Sequence, residues 1–284
     1  MKQVDLHLHS TYSDGTDTPE VLVEMAKALD LSAIALTDHD TCDGCKEAIE
    51  HGRKIGVEVI PGAELSTSWG EKEIHIVGLF LNPDDETLNK RLAEMKDGRA
   101  HRNELMCAAF REHGIPMEYE DLLETYGSAT ITRATFADWL MNHGFIKSRQ
   151  EAFDRYIGDY GPCYVPRRKI SSQEGIRYIL EAGGVPVLAH PILYHLSKDN
   201  LVKLITELKE AGLIGIEGVY TTYSQADTRL ISQLAKDHGL LLSGGSDYHG
   251  ANKPRIHLGV GHGHLFVPAS YLEGLRSWRD AHRT

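Results

Sequence analysis

Six histidines and three carboxylates carry the chemistry of this 284-residue chain, beginning at His7. Val4-Asp5-Leu6-His7-Leu8-His9-Ser10 alternates apolar and polar positions, so as a strand it projects Asp5, His7 and His9 from one face. Two imidazoles at that spacing can converge on a single ion, and a nearby carboxylate suits a hard or borderline divalent metal. A solvated strand face would account for His7 and His9 alone, but His39, Glu64, His75, His190, Asp247 and His249 extend the set, with Asp14 in the first loop. One ion takes about four to six ligands, so this many donors suit two or three ions sharing a bridging carboxylate. The expectation is a multinuclear metal site.

Such a site needs elements that bring distant residues to one place. After the first strand, Thr18 reads as a helix N-cap with Pro19 at the first helical position, and Val21, Leu22, Met25 and Leu29 form the apolar stripe. Ala33-Ile34-Ala35-Leu36 is a continuously apolar run, as expected of a strand buried on both faces. It ends in Thr37-Asp38-His39-Asp40 before a helix from about Thr41 to Gly56. Val57 to Ile60 predicts a third strand, followed by Pro61-Gly62-Ala63-Glu64, and Glu73 to Phe80 a fourth, containing His75. Strands separated by helices or short returns predict a mostly parallel sheet with its active site at the C-terminal strand ends.

From about Asp84 the pattern turns helical, and residues 98–166 read as a small helical insertion over the barrel mouth, leaving 1–97 and 167–284 as the barrel. Its parts are helices near Tyr119 to Tyr126, from an N-cap at Thr132 to His143, and from Gln150 to Ile157. Alternation then resumes with a helix from Ser172 to Ala182 and a strand from Val185 to Ala189 that stops at His190-Pro191. Helix Leu201 to Ala211, strand Ile214 to Val219, helix Ser224 to Lys236 and strand Leu240 to Ser243 lead into Gly244-Gly245-Ser246-Asp247-Tyr248-His249. Glycines there let the backbone come close to a ligand. A last strand over Leu258 to Val267 and a helix from Pro268 to about Asp280 close the series.

Composition narrows the function classes. With 41% hydrophobic residues the chain can bury a core, and no run of about 18 apolar residues predicts a transmembrane helix. A polar first strand in place of a signal peptide predicts a cytoplasmic protein. Four cysteines form no disulfide framework, and Cys42-Asp43-Gly44-Cys45 lacks the second pair of a structural zinc site, so it reads as ordinary thiols on a helix. A net charge of -11 argues against duplex nucleic acid and anionic membrane as partners. It leaves room for a small anionic substrate.

The same residues carry a family likeness. Asp5-Leu6-His7-Leu8-His9-Ser10, Ser13-Asp14-Gly15, Thr37-Asp38-His39-Asp40, Pro61-Gly62-Ala63-Glu64, Leu188-Ala189-His190-Pro191 and Gly245-Ser246-Asp247-Tyr248-His249 resemble the PHP (polymerase and histidinol phosphatase) family of metal-dependent phosphoesterases. The resemblance implies an α/β fold, a distorted (β/α)7 TIM-like barrel, and a site for two or three divalent ions, manganese first, with zinc or iron as alternatives. It implies that His7, His9, Glu64 and Asp247 hold one ion, with Glu64 bridging to a second held by His75 and His190. Asp14, His39 and His249 would hold a third. A water shared by two ions becomes a hydroxide near neutral pH, placed for in-line attack on phosphorus. Ions in that pocket would also outweigh its three carboxylates and make an acidic chain locally cationic.

Arg133, at a helix start that directs N–H groups at an anion, reads as a phosphate clamp, and Arg167 as a second. Relatives with this insertion read Arg-Pro-His-Phe-Ala where this chain has Arg133-Ala134-Thr135-Phe136-Ala137, so Thr135 replaces a histidine suited to the leaving group or substrate. His262 and His264 fall outside the family pattern. The resemblance admits nucleoside 3',5'-bisphosphates, the 5' ends of short RNA, cyclic ribose phosphates and histidinol phosphate as substrates. The catalytic set expected is Asp247, Glu64 and Arg133, with Thr135 and Arg167 at the substrate. Competing readings are a noncatalytic metal-binding regulatory module and an amidohydrolase; the full donor set and the two arginines weigh against them.

Overall fold

The computed structural model describes residues 2–126, 131–158, 160–166 and 169–282. It divides into two compact units, residues 1–92 with 169–284, and residues 93–168. The first is built on an eight-stranded sheet in the order β7-β6-β5-β4-β3-β2-β1-β8. The elements are β1 (Gln3–Leu8), α1 (Pro19–Ala28), β2 (Ala33–Leu36), α2 (Cys45–Ile55), β3 (Glu58–Trp69), β4 (Lys72–Leu79) and α3 (Glu86–Glu112), within which the division between units falls. Next come α4 (Tyr119–Tyr126), α5 (Arg133–Asn142), α6 (Arg149–Ala152), which runs on as a π-helical turn through Ile157, and α7 (Ser172–Glu181). The chain continues with β5 (Val185–Leu188), α8 (Lys198–Glu210), β6 (Gly215–Tyr220), α9 (Gln225–Asp237), β7 (Leu241–Gly245), β8 (Val267–Pro268) and α10 (Ala269–His282).

The sheet nearly closes on itself. Past the end of β7, Asp247 N–H donates to His7 O at 2.9 Å and Tyr248 O accepts from His9 N–H at 3.0 Å, so the last long strand stitches to the first. β1, β2 and β3 run parallel, as do β5, β6 and β7, while β4 is antiparallel to both its neighbours. Val4, Leu6, Ala33 and Ala35 pack with Val185, Val187 and with Leu272 of α10 in one apolar cluster, which leaves the odd residues of β1 to the other face. The second unit has its own core of Met106, Phe110, Phe136, Trp139, Leu140 and Ile157. Such a core lets it stand as a folding unit.

Local chemistry explains the clearest elements. Thr18 caps α1 through its side chain, with Pro19 at the first position, and Ser171 caps α7 in a capping box with Glu174. Several expectations need correction. The buried arc of α1 is Leu22, Val23 and Ala26, with Val21 and Leu29 exposed, because the helix packs on α2 as well as on β2. α2 starts at Cys45, four residues later than expected, since His39 to Asp43 are committed to the loop that faces β3. Glu64 and His75 are not at strand ends: β3 continues to Trp69 and turns into an antiparallel hairpin with β4, with Ser66 opposite His75. Gly259, Gly261 and Gly263 adopt positive φ of 75°, 55° and 100°, so Leu258 to Phe266 forms turns and only Val267–Pro268 pairs as β8. His262 and His264 therefore lie exposed on turns rather than in a strand.

Candidate metal centre

The extended β3 still serves the site, because it carries Glu64 past the end of β2 to a bridge with His39. Antiparallel β4 starts from the same end, and His75 O accepts from Ala189 N–H at 3.1 Å, which sets His75 level with His190. β1 itself supplies His7, and the loops after β1, β2, β5 and β7 supply the remaining donors. All nine expected donors, His7, His9, Asp14, His39, Glu64, His75, His190, Asp247 and His249, thus meet at one end of the barrel. Asp40, His190 and Asp247 hold positive φ of 54°, 28° and 56° without being glycine, strain of the kind that persists at functional sites.

The donors fall into overlapping groups. His7 Nε2 and His9 Nε2 lie 3.1 Å apart, Glu64 Oε2 is 3.3 Å from each, and Asp247 Oδ1 is 3.6 and 3.2 Å from them. Tetrahedral ligands about 2.1 Å from an ion stand about 3.4 Å apart, so the His7–His9 spacing and those from each histidine to Glu64 and to Asp247 are those of neighbouring ligands. Glu64 Oε1 meets His75 Nδ1 at 2.8 Å and His190 Nε2 at 2.9 Å. A third group joins Asp14 to His249 Nε2 at 3.2 Å, and to His39 Nε2 and His9 Nδ1 at 3.7 Å each. Among the described residues buried His190 Nδ1 has no hydrogen-bond partner, and His39 Nδ1 lies 3.1 Å from Glu64 Oε2 without hydrogen-bond alignment. Imidazole and carboxylate donors with such spacings and unmatched buried nitrogens fit divalent cations.

The electrostatics agree. Burial opposes ionisation throughout, yet Glu64 is held well below the usual carboxylate range by His75, His39 and His7, and Asp14 by His249 and His39. Asp247 is likewise depressed, by Lys253 and His249. Burial would lower His9 and His75, but Asp247 and Glu64 raise His9 to about 9, and Glu64 with Glu73 raises His75 to about 10. Burial wins at His39, pushed down to about 3. The cluster is thus a concentrated negative potential that holds protons when no other cation is present.

Several supporting residues escaped the sequence reading. Tyr220 Oη donates to Asp247 Oδ2 at 2.6 Å and Lys253 Nζ donates to the same oxygen at 2.7 Å. Glu217 is a buried carboxylate facing His7 Nδ1 at 2.8 Å. A lone acid in the apolar run Gly215-Ile216-Glu217-Gly218-Val219 was the one available signal for it. Asp5 shares the strand with His7, but its carboxylate accepts from Ser246 N–H at 2.9 Å and Gly259 N–H at 2.8 Å, so backbone takes it instead of metal. Close approach at Gly245 is also by the protein itself: a Cβ there would lie 2.4 Å from His7 Cβ. Cys42 and Cys45 are buried thiols that both point at Gly62 O.

The other expected residues belong to the second unit. Arg133 opens α5, with its guanidinium 5.2 Å from the Tyr164 ring centre and 5.7 Å from that of Phe153. Thr135 Oγ1 accepts from Thr132 N–H at 3.1 Å and so helps to cap that helix. Arg167 lies outside the described residues.

Residues 5–158 match the PHP domain model. A 3',5'-nucleoside bisphosphate phosphatase of Chromobacterium violaceum is 34% identical over 88% of this chain and 88% of its own. A 5'-3' exoribonuclease of Haemophilus influenzae is 34% identical over 87% of this chain and 90% of its own. A phosphoribosyl 1,2-cyclic phosphate 1,2-diphosphodiesterase of Eggerthella lenta is 31% identical, covering 87% and 94%. Among solved structures, one from Chromobacterium violaceum, described as an amidohydrolase with bound sulfate, matches with a TM-score of 0.83 at 30% identity over 97% of this chain and 96% of its own. A barrel with this donor cluster is a metal-dependent phosphoric ester hydrolase. The chain belongs to the PHP domain family.

Proposed function

We propose that this chain hydrolyses a small phosphorylated metabolite, a nucleotide or sugar phosphate, using two or three divalent ions with manganese as the first choice. The observation that carries the reading is the division of labour at Glu64: Oε2 lies 3.3 Å from His7 and His9, while Oε1 lies within 2.9 Å of His75 and His190. Such a carboxylate suits a bridge. His7, His9, Glu64 and Asp247 would hold one ion, Glu64, His75 and His190 a second, and Asp14, His39 and His249 a third. His9 faces both the first and third groups through different nitrogens, and a neutral imidazole has one lone pair to give, so it serves the first. Bound ions would supply an activated water and neutralise charge on the phosphoryl oxygens.

The protein's own residues set the rest. Lys253, beside Asp247, adds a fixed positive charge at the same barrel end, and Arg133 is proposed as a clamp on the substrate phosphate. Arg167 is proposed as a second clamp on sequence grounds. A net charge of -11 supports a small substrate over duplex nucleic acid, and buried free thiols support a reducing, cytoplasmic setting.

A second reading has its own support. The Eggerthella relative is named for a cyclic phosphodiester, and Thr135 stands where a histidine was expected, so opening of a cyclic ribose phosphate followed by phosphate release is the alternative. Manganese-loaded protein assayed side by side on a nucleoside 3',5'-bisphosphate, a 5'-phosphorylated short RNA and a five-membered cyclic ribose phosphate decides between them. Preference for the bisphosphate supports the first reading and phosphate from the cyclic ester the second, whereas preference for the RNA end would replace the small metabolite with an oligonucleotide. Cleavage of an amide with no action on any phosphoester would overturn both.

A further inference from the structure

Glu217 lies in the middle of β6, 1% exposed, and its two carboxylate oxygens do different jobs. Oε1 faces His7 Nδ1 at 2.8 Å. Oε2 accepts from the backbone N–H of His190 at 2.6 Å. We infer that Glu217 is a positioning residue that fixes the ring of His7 and the backbone of His190 together, and so couples the two cation positions that share Glu64. The inference rests on the metal-site reading above and deepens it.

Hydrogen-bond capacity fixes the tautomer of His7. A carboxylate is an acceptor only, so His7 must carry its proton on Nδ1. That leaves the Nε2 lone pair directed at His9 Nε2, Glu64 Oε2 and Asp247 Oδ1, 3.1 to 3.6 Å away. At the other oxygen, His190 sits at φ 28°, a conformation rarely held without glycine, and the bond from its N–H restrains that turn. The His190 ring then reaches Glu64 Oε1 at 2.9 Å. One buried acid thereby sets a donor on each side of the shared carboxylate. Carboxylates behind a metal-bound histidine commonly act in this way.

Glu217→Gln is the test, because glutamine has one acceptor oxygen and must present N–H₂ to either His7 Nδ1–H or His190 N–H. We expect the metal-free variant to melt close to wild type, while calorimetric titration with Mn²⁺ shows affinity reduced about 10- to 100-fold, with the loss spread over more than one equivalent. The metal-induced rise in melting temperature should shrink with it. Wild-type affinity and stoichiometry in a folded Glu217→Gln protein would overturn the inference, whereas failure of the wild type to bind Mn²⁺ would overturn the metal-site reading instead. Wild-type protein gives an independent check: two-bond ¹H–¹⁵N spectra of the Zn²⁺-loaded chain should show His7 as the Nδ1–H tautomer, and an Nε2–H signature would sink the proposal even if the variant did not fold.

Discussion

Tyr220 Oη donates to Asp247 Oδ2 at 2.6 Å, and the opposite oxygen, Oδ1, is left turned toward His9 Nε2 at 3.2 Å. Lys253 shares Oδ2 with the tyrosine, so two donors hold one carboxylate oxygen and the other faces the histidine donors. Tyr220→Phe removes one of those two restraints without changing charge. Mn²⁺ affinity should fall about tenfold, with little change in the far-ultraviolet spectrum. An unchanged binding isotherm would show that Lys253 alone orients Asp247.

Protons and metal ions compete for this cluster. His9 and His75 are raised from 6.5 to about 9 and about 10, because nearby carboxylates outweigh burial, the largest opposing effect. A histidine whose folded value is raised contributes stability that is complete below about 6.5 and is lost as pH rises through the folded value. Metal-free protein should therefore lose melting temperature between about pH 6.5 and 10, while Mn²⁺ binding releases protons and tightens as pH climbs within that window. Calorimetry in two buffers of different ionisation enthalpy measures the protons released. A flat metal-free melting profile with no proton release would contradict the assignment of these groups.

The sequence made some of this legible and hid the rest for identifiable reasons. Thr18-Pro19 and Thr132 announced helix starts because a cap is a local matter of one side chain and the next turn. His7 was readable from the alternation of its strand, and His39, His190 and His249 because each comes soon after a short strand. Glu64 and His75 were found for a partly mistaken reason: the hairpin that carries β3 on to Trp69 places them level with the strand ends without being ends. Glu217 and Tyr220 were missed because their partners are remote in sequence, and Lys253 because only the folded loop after β7 turns it back onto Asp247, six residues earlier. Pairing of Glu217 with His7 spans 210 residues, a relation that no local spacing expresses.

At Gly245, β7 meets β1 without room for a side chain. A Cβ at this position would lie 2.4 Å from His7 Cβ, 2.6 Å from His7 N and 2.9 Å from Asp5 Oδ1. Gly245→Ala should push β1 away, destabilise the fold by about 1–3 kcal/mol and weaken metal binding through His7. Denaturant unfolding checks the first effect and Mn²⁺ titration the second. Unaltered stability would mean that the barrel seam is looser than this packing.

Arg133 is the proposed phosphate clamp, and its substitution tests that role. If it clamps phosphate, Arg133→Ala should lower kcat/KM by about 2–4 kcal/mol in transition-state stabilisation and leave bound metal at the wild-type level. A variant that only melts earlier, through lost stacking on Tyr164 and Phe153, would restrict the residue to a structural role.

Metal-dependent hydrolysis at the Glu64 cluster is tested most directly by phosphate release as Mn²⁺ is returned to chelator-stripped protein, using the substrate selected by the panel above. Turnover should be absent from the stripped protein, rise with bound metal, and stay at background in Glu64→Gln, which should also hold at least one ion fewer by elemental analysis. Phosphate release by the stripped chain, or wild-type turnover by Glu64→Gln, would contradict hydrolysis at this site.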